Sequence, residues 1–164
     1  MASDNSFDIE AGFDRQEVDN AINQASREVA TRFDFKNTDT TIAWSGDEGV
    51  LLESSTEDRL KAAYEVFRDK IVKRKVSLKV LDPGEERAVG QGRWKLDVEL
   101  VSELPSDIAK LIVKDIKATK LKVTPTNMGD KVRVSAKARD DLQEVQAMVK
   151  SKDYEAPMRF TNYQ

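Results

Sequence analysis

Basic side chains at helical spacing are the first candidates for chemistry in this 164-residue chain. Lys110, Lys114 and Lys117 fall at i, i+4 and i+7, which places them on one face of a helix. Lys120 and Lys122 extend the stretch. Such a face is ordinarily the wetted side of a helix; its functional counterpart is contact with the phosphates of a ligand. Asp115 sits toward the apolar side of the same helix and caps a neighbouring group or edges a site. A second candidate is Lys137-Ala138-Arg139-Asp140-Asp141, where a strand gives way to a helix. Free backbone amides at a helix start attract anions, and Lys137 and Arg139 add positive charge. Asp140 and Asp141 stabilise the helix dipole; as a magnesium pair they fit poorly, because successive helical residues point in different directions. The third candidate is Thr31-Arg32-Phe33-Asp34-Phe35-Lys36. Arg32 and Lys36 complement the C-terminal end of a helix dipole, Phe33 and Phe35 are expected to pack, and a paired Arg32 and Asp34 could orient a base or ribose.

Composition removes most catalytic alternatives. The chain has no histidine and no cysteine. Ser-His-Asp and Cys-His catalysis, thiolate zinc sites and disulfides are therefore excluded. No Walker loop and no dinucleotide fingerprint appears, and Gly90-Gln91-Gly92 is only a small glycine pair in a loop. No apolar run approaches the ~20 residues that cross a bilayer. The start, Met1-Ala2-Ser3-Asp4-Asn5, lacks the basic and apolar regions of a signal peptide, so a cytoplasmic protein without a membrane partner is expected. The net charge of −3 is uneven. Residues 1–88 hold 13 Lys and Arg against 19 Asp and Glu; residues 89–164 hold 14 against 11. The basic second half suits a phosphate-rich ligand as well as ordinary solvated helices.

The elements that position these residues follow from apolar periodicity. Val18, Ala21, Ile22, Ala25, Val29 and Phe33 form the inner stripe of a helix over 14–33. Asp14 and Glu17 resemble a capping box. Residues 40–44 and 50–54 form a hairpin. A helix over 57–74 turns Leu60, Ala63, Tyr64, Phe67 and Ile71 inward, and Ser55 or Thr56 caps it. A strand is expected at Val76 to Leu81 and a flexible connection at Asp82 to Gln91. Arg93 to Val101 alternates as a long half-buried strand with Trp94 on its apolar side. A helix from Pro105 to Ala118 turns Ile108, Leu111, Ile112 and Ile116 inward. A second hairpin joins Lys122–Thr126 to Lys131–Ala136. A last helix over 139–150 buries Leu142, Val145, Met148 and Val149, and Met158 to Asn162 closes the chain as a strand.

The order strand-helix-strand-strand-helix-strand thus occurs twice, with an offset of 82 residues pairing Val50 with Val132 and Leu60 with Leu142. The predicted class is α+β: two ferredoxin-like plaits, each a four-stranded antiparallel sheet with two helices on one face. RNA-recognition plaits stack bases on aromatic residues of the central strands. Here those strands carry Phe7 and, in the hairpins, Val50, Leu51, Leu52, Val132, Arg133 and Val134, and Trp94 falls on the apolar side of the long strand, so that aromatic platform is missing.

Ser6-Phe7-Asp8-Ile9, Thr31-Arg32-Phe33-Asp34-Phe35-Lys36, Val113-Lys114-Asp115, Lys120-Leu121-Lys122-Val123, Lys137 through Gln143 and Phe160-Thr161-Asn162-Tyr163 together resemble the YajQ family of bacterial proteins. The similarity runs in order over nearly the whole chain. Two departures stand out. The family usually has serine at the position of Ala138; its loss removes a helix cap that contributes about 0.5–2 kcal/mol. The family's tail usually continues with a basic residue, whereas this chain stops at Tyr163-Gln164.

The resemblance implies that the first strand completes the sheet of the C-terminal domain. The domains would then be 1–12 with 103–164, and 13–102, with hinges near Gly12 and near Ser102 to Pro105. It also implies a nucleotide-binding protein without catalytic activity or resident cofactor: a regulator recognising a cyclic dinucleotide such as cyclic di-GMP, or RNA. The alternative is an interaction module for a protein partner with no small ligand. No catalytic or metal-binding residue is assigned. The expected nucleotide-binding residues are Arg32, Lys36, Lys114, Lys137 and Arg139 for phosphate, and Asp34 for base or ribose.

Overall fold

The computed structural model describes residues 4–164; Met1–Ser3, part of the start read above as lacking a targeting signal, lie outside the described residues. The elements are β1 (Asn5–Ala11), α1 (Arg15–Thr31), β2 (Thr41–Trp44), β3 (Gly49–Ser54), α2 (Glu57–Lys73), β4 (Leu81–Pro83), β5 (Arg87–Val89), β6 (Arg93–Leu100), α3 (Ser106–Ala118), β7 (Val123–Asn127), β8 (Lys131–Ala136), α4 (Arg139–Lys152) and β9 (Met158–Thr161). They form two compact units. One takes the residues up to Gly12 and Ser102–Gln164; the other is Phe13–Val101.

The first unit has the sheet order β7-β8-β1-β9, antiparallel throughout. This is the plait order, with β1 supplying a central strand. Phe7 and Ile9 point to the helix face and join Ala109, Ile112, Ile116, Val132, Val134, Leu142, Val145 and Val149 in one core. Asp8 lies between them on the opposite face, opposite Arg133 on β8 and Thr161 on β9. Its side chain is only 1% exposed. Arg133 Nε donates to Oδ1 at 2.8 Å, Arg133 Nη2 to Oδ2 at 3.3 Å and Asn162 Nδ2 to Oδ2 at 3.0 Å. Lys131 adds a charge at 3.5 Å. A carboxylate removed from water is tolerated when it is paired and hydrogen-bonded in this way. The Arg133 hydrogen bond, aided by Asn162 and the nearby positive charges, holds Asp8 below its ordinary pKa.

The second unit has the order β2-β3-β6-β4, with β5 also paired to β6. Val50, Leu52, Leu96 and Val98 form the apolar face beneath α1 and α2. The repeat is visible in three dimensions: Val50 and Leu60 occupy buried positions on β3 and α2, as Val132 and Leu142 do on β8 and α4.

Several elements differ from the sequence reading. The strand expected at 76–81 is a 3₁₀ turn over Leu78–Val80, capped by Ser77 Oγ on the Lys79 amide at 3.2 Å; strand pairing starts only at Leu81. The connection expected at 82–91 instead carries β4 and β5, two pieces of one interrupted edge strand along β6, so this sheet has five strands rather than four. Eight residues of β6 offer more backbone than three-residue β4 can pair, and Pro83 is tolerated at an edge. Arg87 and Asp97 pair across it. Asp14 caps α1 through the Gln16 amide, but Glu17 pairs with Arg74 rather than closing a capping box. Tyr64, Ile108 and Met148 are only half-buried, Leu111 is 42% exposed and Ala109 takes the inner position of α3. Among the described residues, no helix is long and apolar enough to cross a membrane.

Replacing Asp8 by Asn should lower the stability of the first unit at pH 7 by about 1–3 kcal/mol, the range for a hydrogen bond to a charged group. Because the folded pKa is depressed, the ionised pair stabilises fully above the unfolded carboxylate value, roughly pH 4. That contribution is lost as pH falls through the folded pKa, so wild type and variant should converge in acid. Trp44 and Trp94 both lie in the second unit. Denaturation followed by circular dichroism should therefore shift while tryptophan emission keeps its midpoint. A shift of both by the same amount would show that the two units unfold together.

Candidate functional site

In the first unit, β8 runs into α4 through Lys137 and Ala138. Ala138 occupies the N-cap with extended backbone (φ −103°, ψ 129°), and no side chain caps the helix. The amides of the first turn are therefore left to solvent or to a ligand. Asp4, Lys122, Thr124, Ser135, Lys137 and Asp141 surround a depression of about 370 Å³ beside this turn, so that two lysines face two aspartates. Lys137 and Lys122 have no ion-pair partner among the described residues. Asp140 and Asp141 lie in the first turn, where they favour the helix dipole.

Asn5 organises the other side of the same turn. Its Nδ2 donates to the Lys137 carbonyl at 3.0 Å, and its Oδ1 accepts from Arg139 Nε at 3.3 Å. Arg139 then borders a second cavity of about 330 Å³, with Asn5, Phe7, Gln143, Gln146 and Tyr163. Nothing in the sequence singled out Asn5, Gln143 or Gln146, because isolated amides on a strand end and a helix face look solvated.

Tyr163 reaches this cavity through a bulge. Thr161 pairs with Asp8, yet the next backbone pairing joins Ser6 with Gln164 in both directions at 2.9 Å. The tail therefore has one more residue than β1 over this span, the signature of a β-bulge. Asn162 absorbs it with φ 52°. Its side chain goes to Asp8, and Tyr163 turns to the face of Phe7, stacking at 6.2 Å with 24° between the rings.

The remaining expected residues are distributed differently. Lys114 lies on the exposed face of α3 and lines neither cavity. Asp115 accepts from Tyr154 Oη at 2.7 Å; burial, aided by this bond and the nearby negative charge, raises the tyrosine pKa. Arg32, Asp34 and Lys36 belong to the second unit. Arg32 grips Asp34 with two bonds, Nε–Oδ1 at 3.0 Å and Nη2–Oδ2 at 2.7 Å, and reaches Glu28 at 2.9 Å. Arg59 adds a bond to Asp34 at 3.0 Å, and Lys70 one to Glu28 at 2.9 Å. The Arg32 hydrogen bonds hold Asp34 below the usual carboxylate range. This cluster ties the end of α1 to α2, and both guanidinium groups flank the buried ring of Phe35. Phe33, expected to pack, is 86% exposed, because the 3₁₀ turn over Phe33–Phe35 sends the two rings different ways. Lys36 is exposed and has no ion-pair partner among the described residues.

The chain is thus an α+β protein of two plaits with polar outer sheet faces, one of which carries an uncapped helix start flanked by cations. The chain belongs to the YajQ family: the family model "Nucleotide-binding protein YajQ-like" matches residues 5–164. A protein of Mycobacterium avium (strain 104), named as a nucleotide-binding protein, is 51% identical over 162 residues, covering 98% of this chain and 99% of the relative. Proteins of the same name from Mycobacterium tuberculosis (strain ATCC 25177 / H37Ra) and Mycobacterium marinum (strain ATCC BAA-535 / M) are 51% and 48% identical over the same shares. The family name describes binding and names no reaction.

Ala138→Ser should supply the missing cap and stabilise the protein by about 0.5–2 kcal/mol, measured as a raised midpoint in circular-dichroism melts. The serine oxygen would occupy a first-turn amide, so the same variant should bind anions at this turn more weakly. An unchanged midpoint would mean that the turn is already satisfied.

Proposed function

We propose that this chain is a non-catalytic, nucleotide-binding regulatory protein that holds a ligand's phosphate over the start of α4. The observation that carries this reading is the uncapped first turn set between Lys122, Lys137 and Arg139. Backbone amides, the positive end of the helix dipole, Lys122 and Lys137 meet at the depression beside this turn, and Arg139 stands on the turn's other side. The relatives' names support nucleotide as the ligand class. A cyclic dinucleotide such as cyclic di-GMP, or RNA, would present the required phosphates. Lys114 and Lys36 remain exposed and available to further phosphates. Arg32 and Asp34 satisfy one another, which supports a structural role: a ligand would first have to open their two-bond pair. The second reading, a protein partner without small ligand, draws on the exposed Phe33 ring.

Calorimetric titration with GTP, cyclic di-GMP and a single-stranded RNA at low salt tests the proposal. Binding should weaken as salt rises. Lys137→Ala should weaken it by about tenfold or more, the equivalent of one charge-assisted hydrogen bond. Phe33→Ser should leave it unchanged. Silence with all three ligands at low salt sinks the nucleotide reading and leaves the protein-partner one.

A further inference from the structure

The cavity between the start of β1, the outer face of α4 and the C-terminal tail has a makeup distinct from that of the phosphate depression. Its floor is apolar, from Phe7 and Leu142. One wall is Tyr163, backed by Phe7 on one face and 64% exposed, so that its ring offers an open stacking surface. The facing wall is α4, which presents Arg139, Gln143 and Gln146 on a single side, spaced by four and three residues. Gln146 Nε2 donates to Tyr163 Oη at 3.3 Å and steadies the ring. Gln143 is exposed, and its side chain makes no hydrogen bond among the described residues. Its amide carries both donors and an acceptor.

We propose that this cavity binds the purine base of the nucleotide whose phosphate sits at the start of α4; the inference therefore rests on the function proposed above. Three features meet here. An aromatic ring with a free face stacks on any base, and a base prefers such a ring to water. A guanidinium matches the paired acceptors on one purine edge, and a carboxamide matches a donor–acceptor pair. Finally, the bulge at Asn162 serves no pairing need of the sheet, since it interrupts the ladder between β1 and the tail. Its consequence is to move Tyr163 onto the Phe7 face, beside α4. Arg139 borders this cavity while the adjacent Lys137 and Ala138 border the other. Base and phosphate sites thus lie on two sides of one helical turn.

The test is calorimetric titration of the full-length protein at low salt with GMP, AMP, UMP and ribose 5-phosphate. The purine nucleotides should bind at least about tenfold more tightly than ribose 5-phosphate, consistent with one stacked base, and more tightly than UMP. Gln143→Ala and Tyr163→Ala should each reduce that preference, and Tyr163→Phe should keep most of it. Lys137→Ala should weaken all four ligands and leave their ratios unchanged. Melting curves verify folding; Gln143 is exposed on a helix, so its variant remains informative if Tyr163→Ala unfolds. Equal binding of purine nucleotides and ribose 5-phosphate would overturn the base site while leaving the phosphate site intact, and so would a preference that survives Gln143→Ala. UMP binding as tightly as GMP and AMP would overturn the purine assignment. No binding of any of the four would overturn both proposals.

Discussion

The structure of the first unit depends on β1 being a central strand although it is separated in sequence from its partners by the whole second unit. Asp8 is the point at which this is enforced. A carboxylate on a strand flanked on both sides can be buried only if its partners are in place, and those partners come from β8 and from the tail. A one-residue slip of β1 would carry Phe7 and Ile9 out of the core and turn Asp8 into it. Apolar burial and ion pairing therefore select the same register. The ion pair adds specificity that the apolar face alone would share with neighbouring registers of the same parity.

That register also positions the candidate site. With Asp8 fixed opposite Arg133, Asn5 falls opposite Ala136, at the end of β8, where its side chain can span the turn into α4. Asn162 meets Asp8 from the tail, and its left-handed backbone sends Tyr163 to the other face. Asn is among the few residues that adopt this conformation at little cost. The bond to Asp8 thus recruits the bulge, and the bulge places the aromatic wall. Fold and site share one polar anchor.

The sequence shows the periodic part of this arrangement clearly. Helical stripes and strand alternation locate all four helices and most strands, and the repeated order of elements points to two plaits. What it hides is long-range or one-sided. Asp8 looks like the wet residue of an alternating strand, because Arg133 is 125 residues away. Phe33 looks like the last turn of an apolar stripe, but the helix ends at Thr31 and the phase is lost. The 3₁₀ turn after α2 is set by a single serine side chain that an apolar run conceals. Of the candidate residues, Lys137 and Arg139 could be read from their place before a helix. The amides of Asn5, Gln143 and Gln146 could not, since their meaning depends on which face of α4 meets the tail.

The start of α4 holds a balance of opposing charges. Asp140 and Asp141 stabilise the helix by occupying the positive end of its dipole, which is the same field that an anionic ligand would use. A protein selected only for helix stability would place a serine or threonine at Ala138 and satisfy the amides internally. Ala138 leaves them available, and the acids alone would then repel a phosphate. Lys122 and Lys137 on one side and Arg139 on the other are three cations that balance Asp140, Asp141 and Asp4, the last of which also lines the depression. An anion bound at this turn would supply the missing acceptor and recover the stability lost at the cap. By linkage, whatever anion binds this turn must also stabilise the first unit, in proportion to how tightly it is held.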